Sequence, residues 1–140
     1  MDYFFYGTLR DVDVRTRVLG RELRGATVEE AELPGYRAVF VSGATYPTLV
    51  PGKEARAPGL LVRGLGPRDA ARLAAYEGDP YLVRHLTVQG GASGPVSARV
   101  FLTRTGVVAT PRDWTLEAWR QRFKKRFMQR AQRGDLFRPS

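Results

Sequence analysis

Two short segments carry residue types that could do chemistry together, Tyr6-Gly7-Thr8-Leu9 and Tyr76-Glu77-Gly78. In the first, an aromatic run ends at a glycine, which lets the backbone turn sharply and a ligand come close to main-chain N–H groups. Consecutive amides of this kind form an anion-binding nest or hold a carbonyl oxygen as it gains charge. Neither the spacing nor the Lys of a phosphate-binding P-loop is present, and the same residues also fit a plain strand-to-helix turn. In the second segment a carboxyl sits between an aromatic and a glycine at the end of an Ala/Leu-rich stretch. Facing a cavity, Glu77 would be desolvated, its pKa raised, and it would serve as base and then acid near neutrality. Facing water, it would be an ordinary surface carboxylate, mildly disfavoured at a helix C-terminus. Other chemistries have little material. The chain has no Cys and a single His, which excludes a thiol nucleophile, a zinc–thiolate site, a multi-His metal cluster and any Ser-His triad that does without His85. His85 follows Arg84 in a predicted strand, where a structural role is expected.

These residues need elements to position them. Tyr3–Tyr6 reads as a buried strand, and Asp11 or Asp13 caps a helix whose Val14, Val18 and Leu19 share a face before Gly20 stops it. Leu33-Pro34-Gly35 reads as a turn before a strand over Tyr36–Val41, and Ser42-Gly43-Ala44 as another turn. Tyr46–Val50, bracketed by Pro47 and Pro51, reads as an edge strand or extended loop, and Gly59–Gly64 as a separate compact strand. Pro67 suits the first position of a helix that ends at Glu77-Gly78-Asp79-Pro80. Tyr81–Val88 and Val96–Thr103 form a strand pair across a glycine-rich loop. A last helix, capped by Asp113 or Thr115, runs to about Arg133, with Leu116, Trp119, Phe123, Phe127 and Ala131 on one buried stripe. Short strands with helices outside them make an α+β fold, a small mixed sheet or barrel flanked by helices.

The chain has 140 residues, 43% hydrophobic and 26% charged, with a net charge of +9. That fits one globular domain spanning residues 1–140. The charge is uneven: residues 1–113 hold 15 basic and 12 acidic side chains, and residues 114–140 hold 8 and 2. A basic amphipathic helix can track phosphates or lie on anionic lipid. The helical step of its aromatics instead favours docking on the domain, with the bases as the wet face and no nucleic-acid partner. No targeting signal opens the sequence and no apolar run approaches the ~20 residues of a membrane span, so a cytoplasmic location is expected.

Taken together, Tyr6-Gly7-Thr8-Leu9, Leu33-Pro34-Gly35-Tyr36, Tyr46-Pro47, Val50-Pro51, Gly59-Leu60-Leu61 and Leu73-Ala74-Ala75-Tyr76-Glu77-Gly78, followed by Tyr81 and Arg84, resemble the γ-glutamylcyclotransferase-like family. Trp114-Thr115-Leu116-Glu117-Ala118-Trp119 is similar to the tail of its plant avirulence-induced branch and that branch's bacterial relatives. The resemblance covers nearly the whole chain. It implies a small β-barrel flanked by helices, with a cavity between the Tyr-Gly-Thr-Leu loop and the Glu. It also implies a γ-glutamyl amine or peptide as small-molecule substrate, released as 5-oxoproline and a free amine without metal or cofactor. Glu77 is then the acid/base and the Gly7, Thr8 and Leu9 amides bind substrate. Tyr6, Tyr46 and Tyr81 are further pocket residues, and Arg10 could attract the α-carboxylate. The alternatives are a domain of the same fold that binds a small molecule without turnover and, behind it, a binder of anionic surfaces, nucleic acid or membrane, through the basic C-terminal helix.

Overall fold

The computed structural model describes residues 1–78, 81–103 and 106–132. Strand β1 (Tyr3–Phe5) shows why its run is aromatic throughout. It pairs antiparallel with β3 (Pro47–Val62) and parallel with β5 (Gly94–Thr103), so both of its faces are covered. Phe4, with Tyr6 beyond the strand, packs among Leu33, Leu61 and Val100 in the barrel, while Tyr3 and Phe5 pack against the helices. Gly59 of β3 makes room for this: a side chain there would collide with the Phe5 carbonyl oxygen and come within 2.6 Å of the Phe4 ring.

The remaining strands are β2 (Val28–Val41), β4 (Tyr81–Gly90) and β6 (Ala109–Asp113). The sheet order is β3-β1-β5-β4-β2-β6, and the β2–β3 pairing closes five of the strands into a barrel with β6 on its rim. Among the described residues four helices surround it: α1 (Val12–Leu19), α2 (Pro67–Glu77), α3 (Leu116–Arg122) and α4 (Lys124–Gln132). The α+β barrel flanked by helices is therefore the architecture. Among the described residues no helix is long and apolar enough to cross a membrane.

Several local expectations need correction. Leu33-Pro34-Gly35 is not a turn: β2 runs through it as a bulge, with Pro34 opposite Arg56 and Tyr36 opposite Pro51. Gly35 takes φ 84° there, a conformation open to glycine. The segments 46–50 and 59–64 are likewise not separate, because β3 runs from Pro47 to Val62, with Pro51 beside the same irregularity. Strand β6 is one the sequence hides: its residues are exposed or half-buried, so no alternation marks it. Asp113 ends that strand and pairs with Arg37, leaving Thr115 to cap α3 by accepting from the Ala118 N–H. The single C-terminal helix is in fact two. Phe123, at φ −129°, separates α3 from α4 and sets its ring edge-on to Phe40. The turn residues Asp79 and Pro80, and the end of the last helix at Arg133, lie outside the described residues.

Candidate active site

Both segments singled out in the sequence arrive at one cleft. Beyond β1 the chain makes a single 3₁₀ turn, Thr8–Arg10, closed by Arg10 N–H donating to the Gly7 carbonyl and Asp11 N–H to the Thr8 carbonyl, each at 3.0 Å. The first N–H groups of such a turn have no partner within it. Gly7 backs onto Pro47, and a Cβ on it would sit 3.2 Å from the proline Cγ.

On the other side, α2 is held at both ends. Arg21 grips the buried Asp69 through two bonds of 2.6 and 2.9 Å, and Asp69 also accepts from the Gly66 N–H ahead of the first turn. At its far end Gly78, φ 78°, turns the chain in a conformation that favours glycine and donates to the Ala74 carbonyl. Glu77 is thereby fixed as the last helical residue. The buried hydroxyls of Thr8 and Tyr76 share a hydrogen bond of 2.5 Å, tying the loop to α2 one residue ahead of Glu77.

The cleft between them is lined by Tyr6, Gly7, Thr8, Leu9, Tyr46, Glu77 and Tyr81, over a floor of Phe4, Phe5, Pro47 and Phe101. It holds about 360 Å³ of empty space counting its mouth. Tyr46 and Tyr81 face each other with ring centres 6.4 Å apart. The Tyr6 hydroxyl donates to the Phe101 carbonyl at 2.5 Å, so its oxygen can only accept from anything else. Phe101 and Pro47 are cleft residues that sequence reasoning did not place there. Phe101 had only the signature of a core strand, and Pro47 counted as punctuation.

Electrostatics single out Glu77. As a residue it is half-buried, yet its carboxyl lies among protein atoms, and loss of hydration pushes its pKa from 4.5 up to about 8. Its place at a helix C-terminus acts in the same direction. Among the described residues no cation pairs with it. Burial, and after it the nearby Glu77 charge, raises the pKa of Tyr6, Tyr76 and Tyr81, so all three remain neutral phenols.

Arg10 is not brought into the cleft. Successive residues of a 3₁₀ turn point about 120° apart, and Arg10 lines a separate surface hollow with Glu30, Glu32 and Gln89. His85 is exposed on β4, away from the cleft. The described residues contain no group of three or more His, Asp or Glu placed to hold a metal ion.

The basic C-terminal region is only partly a wet face. Trp119 and Phe127 are buried and meet edge-on, and Phe127 also packs edge-on against Tyr76. Two of the bases are tied to the domain: Arg120 and Lys124 both reach the buried Asp11 carboxylate, at 2.8 and 2.9 Å.

Solved structures with this fold include two from Arabidopsis thaliana. At5g39720.1 is 24% identical with a TM-score of 0.66, covering 91% of this chain and 85% of that one. At3g28950.1 is 21% identical with a TM-score of 0.67, covering 94% and 79%. A gamma-glutamyl cyclotransferase is 16% identical with a TM-score of 0.59, covering 78% and 69%. Among curated proteins none matches the chain by sequence. The family model described as "Gamma-glutamyl cyclotransferase, AIG2-like" matches residues 3–121, from β1 into α3 and so across both walls of the cleft, and the chain belongs to that family.

Proposed function

We propose that the protein is a cyclotransferase-type enzyme that releases 5-oxoproline and a free amine from a γ-glutamyl amine or peptide, with Glu77 as its acid/base. The observation that carries this reading is the Glu77 carboxyl, desolvated in the cleft with a pKa near 8, opposite the Gly7–Leu9 turn. At pH 7 roughly one such carboxyl in ten is ionised. That is a useful balance for a group that must first accept a proton and then return it.

The substrate's α-ammonium gives a proton to the Glu77 carboxylate, and the freed amine attacks the substrate's own γ-carbonyl carbon. A C–N bond closes the five-membered ring, and Glu77 returns its proton to the leaving nitrogen as the C–N bond to it breaks. The second proton, which the ring nitrogen sheds to become a lactam N–H, passes through the same carboxylate, and the amine leaves as its ammonium. Because the attack is intramolecular, the cleft has only to hold the folded conformer and stabilise charge. The Gly7, Thr8 and Leu9 amides supply donors for the carboxylate or the developing oxyanion. The Tyr6 oxygen, its own proton committed to Phe101, suits the ammonium as an acceptor. Tyr46 and Tyr81 line the cleft beside Glu77 and supply ring surface for the rest of the substrate.

The test is 5-oxoproline release from a panel of γ-glutamyl amines and peptides. Release from at least one member, with the matching free amine in equal amount, is the expected outcome. Binding across the panel with no product would replace the enzyme by a binding domain of the same fold.

A further inference from the structure

Asp11 follows the 3₁₀ turn directly, and its side chain is wholly buried. One carboxylate oxygen caps α1 by accepting from the Asp13 and Val14 N–H groups at 2.9 and 3.2 Å. The other accepts from Arg120 Nε at 2.8 Å and lies 2.9 Å from Lys124 Nζ. Lys124 also donates to Asp13 at 2.6 Å. Arg120, 109 positions away in sequence, and Lys124 thus converge on the residue that ends the loop.

The loop's own carbonyls are all taken from the same side of the sequence. Arg10 N–H holds the Gly7 oxygen and Asp11 N–H the Thr8 oxygen. The buried Arg15 guanidinium donates to the Leu9 and Arg10 oxygens at 3.1 and 2.7 Å. The Arg15 N–H in turn donates to the Asp11 carbonyl at 3.0 Å. With every carbonyl from Gly7 to Arg10 engaged, the remaining backbone polarity of the turn is its N–H groups, the ones assigned above to substrate.

We propose that Asp11, gripped by Arg120 and Lys124, is a positioning residue for the Gly7–Leu9 turn, and that the basic C-terminal helices serve to set the amides that face Glu77. This rests on the cyclotransferase reading for its catalytic consequence, though not for the mechanical one. Displacements of a fraction of an ångström at oxyanion donors weaken them where charge develops, so the turnover step should suffer more than substrate capture.

Asp11→Asn retains a good cap for α1 but withdraws the anion from both bases, and Arg120→Gln alters only a half-exposed side chain. Two readouts are compared in the full chain: backbone amide hydrogen exchange, and kcat and KM on whichever γ-glutamyl substrate the parent turns over. The expected result is faster exchange at Gly7–Leu9 in both variants, with β2 and β3 unchanged. It includes a kcat lowered on the order of tenfold, a KM within about twofold and an unshifted acidic limb of the pH profile. Arg120→Lys, which restores a cation beside Asp11, should recover most of the rate. Unchanged exchange at the turn overturns the proposal, as does a loss confined to KM or a loss that Arg120→Lys fails to recover. If the parent releases no 5-oxoproline, the cyclotransferase reading fails, while the exchange data still decide whether Asp11 holds the turn.

Discussion

Asp11 and Glu77 are both carboxylates withdrawn from water around the same turn, and their surroundings push them in opposite directions. At Glu77 burial acts unopposed by any cation among the described residues and lifts the pKa to about 8. At Asp11 burial again works against ionisation, but hydrogen bonds from Arg120, Lys124 and the Val14 N–H outweigh it and hold the carboxyl below its ordinary range. Desolvation alone therefore makes a proton carrier, whereas desolvation with paired cations makes a permanent anion that can anchor chain segments. The same fold uses one solution on each side of the Gly7–Leu9 turn.

The sharpest way to break this contrast is to remove the titrating proton at Glu77. Glu77→Gln keeps the shape and should lower 5-oxoproline release at least ~100-fold in a coupled amine assay. Turnover at the parent rate would remove Glu77 from the chemistry. The same variant should be the more stable protein at alkaline pH. Between about pH 4.5 and 8 the folded parent keeps a proton that the unfolded chain has lost, so its stability falls as pH rises through that window. Denaturant melts should show the gap between variant and parent growing by roughly 2–4 kcal/mol from pH 5 to pH 8.

Asp11 predicts the opposite slope. Its folded pKa lies below the ordinary 3.8, so its contribution is complete above that value and is lost as pH falls through the folded pKa. Asp11→Asn should cost about 1–2 kcal/mol at pH 7, a modest loss because both bases keep access to water. It should also flatten the acid side of the stability profile, read by the same melts at pH 2–5.

Two smaller effects sharpen the cleft itself. Gly7→Ala puts a methyl 3.2 Å from Pro47 Cγ, and even about 1 kcal/mol of overpacking would raise KM about fivefold. Arg10→Ala should change kcat and KM by less than about twofold, since that side chain lines a different hollow.

Much of this was legible in the sequence because it depends on local chemistry. The Asp11 cap and Gly20 stop of α1, the Pro67 start and Glu77 end of α2, and the β4–β5 pairing are all written in neighbouring residues. The union of the Tyr-Gly-Thr-Leu loop with Glu77 was legible only through the resemblance of several motifs together to the γ-glutamylcyclotransferase-like family. The long β2–β3 hairpin was not, since Pro34, Gly35, Pro47 and Pro51 carry the same signal in a bulged ladder as in turns. Strand β6 has no apolar alternation to announce it. The exclusion of Arg10 follows from a rotation within a three-residue turn, and the grip of Arg120 and Lys124 on Asp11 spans most of the chain. A count of basic residues cannot separate bases that neutralise a buried carboxylate from bases that face water.

The measurement closest to the central claim is the titration of the Glu77 side-chain carboxyl, followed by its ¹³C chemical shift and assigned with Glu77→Gln. A midpoint near pH 8 is expected, against the ordinary 4.5. A midpoint near 4.5 would show a hydrated carboxylate, and with it the case for Glu77 as a desolvated acid/base would fall.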